Sequence, residues 1–390
     1  MGYNMFLPTR TLFGAGALKK LHKQSMPGKK ALLLISKGKS VRENGALEGC
    51  EQQLKLANID YVVLGTVGSN PLKSVVMEAA SFARENQCDF IVALGGGSVM
   101  DASKAVATMA TNDGDLWDYV VGGTGKGLTP KNQPLPIIAI TTTAGTGSEV
   151  DSYGVITHDE RSEKIGFGGF DNLYPKLAVV DPELMVSVPA KFTAYQGFDA
   201  LFHSTEVYIC KVANLFSDMV ALTAIENVAK FLPRAIRDGK DIEARERVAF
   251  GNTMSGYSMV AGCCTSEHSL EHAMSAHHHD LPHGAGLIMI SKAYYTQLIK
   301  KGACPDRFIK MAQVMGMENA TEPFDFIKAL TTLQESCGVA DLKMSDYGIS
   351  PEEFEELANN AKHTMGGLFF ADPVEISRDD CINIFKDSYK

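Results

Sequence analysis

Two stretches of the sequence carry acidic and imidazole side chains at spacings that suit a divalent metal ion. Asp199 and His203 lie four residues apart in a segment rich in Ala, Leu and Phe, which predicts a helix. On a helix this spacing places both side chains on one face, where they can share one ion. His268 and His283 follow in the second stretch. One carboxylate with three imidazoles suits zinc or ferrous iron better than calcium or magnesium, which take mostly oxygen ligands.

The second stretch also contains histidines that compete with this assignment. His272 follows His268 by four residues, so it falls one helical turn away. The run 277–279 consists of histidines and is interpreted as a solvated loop, because adjacent residues of a loop cannot all face one ion. Pro282 and Gly284 flank the last histidine and predict a loop that presents its ring. An Asp-x-x-x-His pair alone often arises by chance, so the metal hypothesis depends on both stretches together.

The composition describes an acidic globular chain with room for two domains. Of 390 residues, 45% are hydrophobic and 21% charged, and the formal net charge is −9. The absence of a Lys and Arg stripe argues against a broad nucleic-acid surface. The eight cysteines include no Cys-x-x-Cys pair, which argues against a sulfur-ligated zinc site. No apolar run approaches the roughly 18 residues of a membrane helix, and the start lacks a secretion-signal pattern. We therefore expect a cytoplasmic protein with no membrane or nucleic-acid partner.

The two halves of the sequence differ in their pattern. Residues 1–186 alternate strand-like and amphipathic segments, which predicts an α/β domain with a Rossmann-like parallel sheet that binds a dinucleotide. Residues 187–390 are dominated by helix formers, which predicts an all-helical metal and substrate domain. The expected strands are 31–35, 61–64, 90–94 and 136–140, with a hairpin and a returning strand between 150 and 180. The expected helices are 46–57, 72–86, 98–110, 192–209, 216–236, 242–259, 269–276, 288–298, 308–315, 324–337 and 351–362.

A glycine run between a predicted strand and a predicted helix indicates phosphate binding. Gly95, Gly96 and Gly97 allow a close approach of the backbone to a ligand, and the following helix N-terminus favours a diphosphate. Ser98 and Asp101 have capping-box spacing, so they are expected to fix the start of that helix. A simple tight turn is the alternative interpretation of this glycine run, and it stays open at this point.

A second loop after a strand strengthens the nucleotide hypothesis. Residues 141–149 supply hydroxyl groups and backbone amides, with Thr142, Thr143, Thr146 and Ser148 as candidate contacts. Parallel sheets bind ligands at the carboxyl ends of their strands, so both loops are expected to open onto one crevice that holds a dinucleotide. No Gly-x-Gly-x-x-Gly follows the first strand, and the two partial P-loop patterns lack their first glycine. ATP hydrolysis is therefore not expected.

The loop after the first predicted strand bears on the choice of cofactor. It contains no Asp or Glu, and its residues are Ser36, Lys37, Gly38, Lys39 and Ser40. An acid here would bind a ribose 2′-hydroxyl and repel a 2′-phosphate, whereas lysine and serine side chains favour that phosphate. The loop thus favours NADP(H) over NAD(H), unless the lysines are merely solvated.

The ordered motifs of the whole chain resemble the iron-dependent (group III) alcohol dehydrogenases. The resemblance covers TLFGAG at 11–16, GGGS at 95–98 with Asp101 and Lys104, TAGTGSE at 143–149, Asp181-Pro182 with Thr193-Ala194, DALFH at 199–203 and PHG at 282–284. It implies a dehydroquinate-synthase-like nucleotide domain followed by an all-helical metal domain. It also implies a homodimer that transfers hydride between a nicotinamide cofactor and a small alcohol or aldehyde polarised by Fe²⁺, or alternatively Zn²⁺.

The resemblance carries the metal ligands over to Asp199, His203, His268 and His283. His272 then becomes the candidate that closes the nicotinamide side and relays a proton. The sequence departs from the family pattern between this pair of histidines and Pro-His-Gly, where it is one residue longer. Because of this difference, His272 is an alternative to His268 as the metal ligand. His277 is likewise an alternative to His272 as the second imidazole, the one with a catalytic role.

Two other classes of enzyme remain open at the level of sequence. A dehydroquinate-synthase-like or glycerol-dehydrogenase-like enzyme would share the fold, but the former needs a cluster of Lys and Arg for an acidic phosphate substrate. No such cluster is visible between residues 199 and 283. A metal-dependent hydrolase or oxygenase would use similar ligands, with the glycine loops serving only the fold.

Overall fold

The computed structural model describes residues 2–390, which form two compact units. The first, called here the α/β unit, comprises residues 6–161 and 165–188. The second, called the helical unit, comprises residues 2–5, 162–164 and 189–390. Because of this division, Lys164 groups with the helical unit although it lies far from it in the sequence.

The α/β unit contains a six-stranded sheet in which every strand pair is parallel. The strands lie in the order β1-β8-β5-β4-β2-β3, and two further strands, β6 and β7, form a separate two-stranded sheet. β4 and β5 are buried along their whole length, because their apolar sequences face covering layers on both sides of the sheet. The strands are β1 (Arg10–Phe13), β2 (Lys30–Ser36), β3 (Asp60–Val67), β4 (Phe90–Gly95), β5 (Ile137–Thr141), β6 (Tyr153–Thr157), β7 (Lys164–Gly168) and β8 (Leu177–Val180).

Four helices follow strands of this sheet, as expected for crossover connections between parallel strands. They are α1 (Ser40–Glu43), α2 (Ala46–Leu56), α3 (Lys73–Glu85) and α4 (Gly97–Met109). The predicted capping box at the start of α4 is wrong. Gly96 is the N-cap residue, and no side chain caps the helix. Ser98 lies inside the first turn, where its Oγ donates to the carbonyl of Ser69 at 2.5 Å.

The helical unit consists of ten α-helices, together with short 3-10 turns, over residues 189–390. The first, α5, packs against α6, α7 and α9, while α8 packs against α9 and α12. The helices are α5 (Ala190–Ile209), α6 (Leu215–Arg237), α7 (Ile242–Ala261), α8 (Ser266–His277), α9 (His283–Lys300), α10 (Pro305–Val314), α11 (Asp325–Ser336), α12 (Phe354–Thr364), α13 (Gly367–Ala371) and α14 (Arg378–Ser388). The predicted fold class, a parallel-sheet domain followed by an all-helical region, is confirmed.

One predicted loop beside the histidines is helical, and a second is helical only at its first residue. His283 is the first residue of α9, with Pro282 at the N-cap position. Proline suits this boundary because its fixed φ is compatible with the helix entry and it needs no hydrogen-bond acceptor. The histidine run at 277–279 begins inside α8, since His277 is the last residue of that helix.

No helix among residues 2–390 combines the length and the apolar character needed to cross a membrane.

Candidate metal and nucleotide sites

The four histidine and aspartate side chains predicted to bind metal lie together in the helical unit. Asp199 and His203 project from α5 one turn apart, His268 comes from the first turn of α8, and His283 begins α9. The Oδ1 atom of Asp199 lies 3.5 Å from His203 Nδ1, 3.6 Å from His268 Nε2 and 3.5 Å from His283 Nε2. Three imidazole rings therefore surround one carboxylate oxygen.

The donor atoms of this cluster fit a divalent cation. Asp199 and His268 are each only 4% exposed, and Asp199 Oδ1 and His268 Nε2 have no hydrogen-bond partner among residues 2–390. Buried polar atoms without a partner are costly, so a cation at this point would remove an unfavourable contribution. Ligands about 2.1 Å from a tetrahedral ion lie about 3.4 Å apart, which is close to the separations observed here.

The ionisation of the cluster reflects this crowding. Burial alone would raise the pKa of Asp199, but His203 and His283 hold that pKa well below its usual range. Burial alone would lower the pKa of His268, yet Glu206 and Asp199 raise it to about 10. In the metal-free protein, a proton on His268 thus offsets part of the charge of the buried carboxylates. A cation would take the place of that proton, since neutral imidazole is the form that binds metal.

Two buried glutamates contact the outer nitrogens of the histidine ligands, and sequence reasoning missed both. Glu206, on α5, contacts Nδ1 of His268 and accepts from the hydroxyl of Thr265 at 2.9 Å. Glu271, on α8, contacts Nδ1 of His283. The only sequence signal was their position close to the candidate ligands, and that position did not indicate which ring each glutamate meets.

His272 lies beside the cluster, as its spacing from His268 predicts. Its ring centroid is 6.2 Å from that of His268 and 5.3 Å from that of His283. Its Nδ1 atom is buried and has no hydrogen-bond partner in the part of the chain that the structure describes. Burial and the nearby Lys164 hold the pKa of His272 well below its usual range. The neutral ring therefore retains a nitrogen that is not used within the protein.

His277 does not join these side chains. Its Nδ1 lies 3.0 Å from the carbonyl of Ala273, and its Nε2 lies 3.3 Å from Glu356. Both contacts are at the C-terminal end of α8, and neither involves the four candidate ligands. Its catalytic role stays a prediction that this geometry does not support.

Two free cysteines, Cys263 and Cys264, lie shortly before α8. One of them, Cys264, has its sulfur within 4.8 Å of a nitrogen of His203 and a nitrogen of His268. Burial raises the pKa of the Cys264 thiol well above its usual range, and Glu206 adds to this effect. A protonated thiol is a poor metal ligand, so the carboxylate and imidazole set fits a cation better.

In the α/β unit, the two predicted phosphate loops lie against each other. The amide of Thr142 donates to the carbonyl of Gly95 at 2.9 Å. A Cβ atom on Gly96 would come within 3.0 Å of the Thr143 side chain, and one on Gly97 within 2.4 Å of Thr146. Glycine therefore allows the loop after β4 to pack closely against the loop after β5, and α4 begins at this junction. The N-terminus of a helix at such a point favours an anion.

A buried polar network holds the second loop from behind. The Nζ atom of Lys104 has four oxygen atoms within 2.8 Å, from the carbonyl and hydroxyl of Ser148, the carboxylate of Asp151 and the carbonyl of Tyr153. The Ser148 hydroxyl also donates to Asp101 at 2.7 Å, and Asp101 accepts from the Val155 amide at 3.0 Å. Asp101 and Ser148 are thus engaged within the protein, and Asp151 is the ion-pair partner of Lys104.

The loop after β2 retains the features that favoured a 2′-phosphate. Lys37 and Lys39 are exposed, and this stretch contains no carboxylate between β2 and α1. The guanidinium of Arg42 reaches back to the loop, where it donates to the carbonyls of Gly38 at 2.9 Å and Ser36 at 3.3 Å. Three cationic side chains therefore surround this turn.

Comparisons with known proteins show the family to which the chain belongs. Residues 8–182 match the family described as iron-containing alcohol dehydrogenase, and residues 193–389 match the C-terminal region of the Fe-containing alcohol dehydrogenase family. The chain is 33% identical to 1,3-propanediol dehydrogenase of Klebsiella pneumoniae over 402 residues, with all of both chains covered. It is 32% identical to NAD-dependent methanol dehydrogenase of Bacillus methanolicus, with 92% of this chain and 93% of the relative covered.

Solved structures give the same result. An archaeal halo-thermophilic alcohol dehydrogenase from a Red Sea brine pool, ADH/D1, superposes with a TM-score of 0.94 at 32% identity, covering 100% of this chain and 99% of that one. The chain belongs to the iron-containing alcohol dehydrogenase family. It is a metal-dependent alcohol dehydrogenase that uses iron and a nucleotide cofactor, which removes the hydrolase and oxygenase alternative.

Proposed function

We propose that this enzyme interconverts small aldehydes and alcohols with NADP(H), at ferrous iron held by Asp199, His203, His268 and His283. The observation that carries the proposal is the arrangement of three imidazoles around a buried oxygen of Asp199 that has no hydrogen-bond partner within residues 2–390. A side-chain set with this charge and these separations is suited to a divalent cation, which would give the unpartnered carboxylate oxygen a binding partner.

The chain contributes binding, orientation and proton handling to the reaction. A bound divalent cation supplies Lewis-acid polarisation of the carbonyl group. Asp199 lowers the positive charge of the site, while the imidazoles bind as neutral ligands and add no charge. The glycine junction at Gly96 and Gly97 offers backbone amides to the diphosphate. We assign to His272, whose buried ring nitrogen no described residue uses, the role of passing a proton to or from the substrate oxygen.

The proposed metal ligands are tested by metal analysis of single variants. We expect His268→Ala and His283→Ala to purify without stoichiometric metal and without measurable turnover, while nicotinamide fluorescence shows that the cofactor still binds. His272→Gln should retain the metal and lower kcat about 10²-fold or more, the usual contribution of a general acid or base. Full metal content in both ligand variants would overturn the assignment.

The preference for NADP(H) rests on the loop after β2. Lys37 and Lys39 offer charge there, Arg42 borders the turn, and no acid is present to repel a 2′-phosphate. The printed names of relatives point the other way, since one is an NAD-dependent methanol dehydrogenase and another a probable NADH-dependent butanol dehydrogenase of Bacillus subtilis. NAD(H) is therefore the alternative cofactor.

A comparison of kcat/KM for NADPH and NADH decides between the two cofactors. Replacing both Lys37 and Lys39 with alanine should lower kcat/KM for NADPH about 10- to 100-fold, as expected for losing hydrogen bonds to a charged group, with little change for NADH. Lys55→Ala, an exposed lysine of the same unit at the end of α2, is the control and should change neither. Equal use of both cofactors, unaltered in the double variant, would refute the preference.

The substrate class is proposed from the printed names of the relatives, which include dehydrogenases for 1,3-propanediol and methanol. We expect short aliphatic aldehydes, alcohols and diols to be turned over, and a screen across chain lengths with both cofactors measures this. Homodimerisation and a cytoplasmic location stay predictions, and light scattering of the purified enzyme tests the first of them.

A further inference from the structure

We propose that Glu271 is a positioning residue that sets the orientation and donor strength of His283 as a metal ligand, and that Lys164 and Ser275 hold it in place. The inference rests on the proposed metal site. It goes beyond that proposal because it assigns a function to a buried acid that lies outside the four ligands.

The contact between Glu271 and His283 fixes which ring nitrogen is available. The Glu271 carboxylate contacts Nδ1 of the imidazole, while Nε2 of the same ring faces Asp199 at 3.5 Å. A carboxylate on Nδ1 requires a proton on that nitrogen, so Nε2 presents its lone pair to the metal position. Carboxylates placed in this way make imidazole a stronger donor and restrict rotation of the ring.

The position of Glu271 is itself determined by its neighbours. The ammonium group of Lys164 lies 3.6 Å from Oε2 of Glu271 and donates to the hydroxyl of Ser275 at 2.8 Å. Both Glu271 and Lys164 are almost completely buried. A buried carboxylate that faces only one imidazole would be expensive to ionise, and the neighbouring ammonium keeps it charged. His283 and Lys164 accordingly hold the pKa of Glu271 below its usual value, against the opposite effect of burial.

The chain also leaves the space that this glutamate requires. A Cβ atom on Gly286, in the first turn of α9, would come within 2.7 Å of Cγ of Glu271. Any larger residue there would push the glutamate away from His283. The glycine at position 286 thus leaves space for the Glu271 side chain in its present position.

The experiment measures metal affinity directly, by titrating metal-free protein with Co²⁺ and following its visible absorption. Glu271→Gln keeps an oxygen acceptor for Nδ1 without the charge, and Glu271→Ala removes the acceptor. We expect the dissociation constant to rise about 10-fold in the glutamine variant and about 100-fold in the alanine variant, the range typical of such outer carboxylates. The Co²⁺ band positions should shift as well, because the ligand field changes when His283 rotates.

A matched control removes a similar contact elsewhere in the same unit. Glu353 accepts a hydrogen bond from Nε2 of His278 at 2.9 Å, and that histidine is not a candidate ligand. Glu353→Gln should leave Co²⁺ affinity and spectrum unchanged. Melting of the metal-free variants shows whether each one is folded, so a loss of affinity in a folded variant reports on the site.

The outcomes separate this inference from the assignment on which it depends. Unchanged affinity and spectrum in both Glu271 variants, with affinity lost in His283→Ala, would overturn the role of Glu271 and leave the ligand set intact. Unchanged affinity in His283→Ala as well would overturn the ligand set itself. A graded loss from glutamate to glutamine to alanine supports the inference, because a merely structural role would not follow the charge and hydrogen-bonding capacity of the side chain.

Discussion

Gly284 offers a strict test of the geometry of the metal site, because it follows a ligand directly and has no room for a side chain. A Cβ atom at this position would lie 2.1 Å from the carbonyl oxygen of Tyr195, and real Cβ atoms essentially never come within 3.0 Å of such a neighbour. In Gly284→Ala the first turn of α9 must therefore move by about 0.9 Å (3.0 − 2.1) or more relative to α5. Tyr195 is one turn before Asp199, and Gly284 directly follows His283. The displacement therefore changes the distance between these two ligands.

The displacement predicts a large functional effect with a modest effect on stability. A misplacement of about 1 Å at a reacting centre can cost about 10²-fold in rate, so we expect kcat/KM to fall about 100-fold and metal affinity to fall with it. Overpacking of this kind typically costs about 1–3 kcal/mol of folding free energy. The assay combines metal content, steady-state turnover after iron reconstitution and urea unfolding.

A glycine in open space provides the comparison. Gly367 begins α13, is exposed, and a Cβ atom there would meet no atom within 4 Å. Gly367→Ala should leave turnover unchanged and stabilise the helix slightly, by up to about 1 kcal/mol. If Gly284→Ala retained metal and turnover within about twofold of the parent enzyme, the close contact between α9 and α5 would not be a determinant of the site, and the reasoning would fail.

The remaining predictions concern the buried lysine of the α/β unit, Lys104, and the response of the enzyme to metal removal. Lys104→Met should destabilise the protein by about 3–5 kcal/mol, because it leaves Asp151 buried without its ion-pair partner; urea unfolding measures the loss, and Lys55→Ala should show none of it. A chelator should abolish activity, and Fe²⁺ should restore it. At a metal concentration 100 times the dissociation constant, binding should add about 2.7 kcal/mol to the stability of the unit that binds it. A melting temperature that ignores added Fe²⁺ would contradict the proposed site.

The elements that carry the site were largely predictable, because their hydrophobic periods are long. Helix α5 was expected at 192–209 and runs over Ala190–Ile209, and β4 was expected at 90–94 and runs over Phe90–Gly95. Short or partly exposed elements contain too few hydrophobic residues at regular spacing to be predicted. β1 has only four residues, of which the two central ones are half-buried, and it was not predicted. The C-terminal helix α14 was missed as well, although Ser377 and Asp380 form a capping box at its start.

The start of α9 shows why local signals misled at one ligand. Pro282 and Gly284 are both typical of loops, and their combination around His283 predicted one. In the structure the proline is the cap, and the glycine serves packing against the backbone of α5. Proline and glycine do mark a boundary between elements here. The reason for the glycine, however, lies in another helix and cannot be inferred from neighbouring positions.

The two glutamates behind the ligands illustrate the limit of spacing arguments more generally. Glu206 is one turn after His203 on α5, so helical spacing alone would pair those two residues, yet its carboxylate contacts His268 on α8. Glu271 is one turn after His268 and directly precedes His272, yet it contacts His283 on α9. In each case the carboxylate contacts an imidazole on a neighbouring helix. Each cross-helix contact therefore links the orientation of one ligand to the packing of a helix pair, and a substitution that shifts either pair should be detected first as a change in metal affinity.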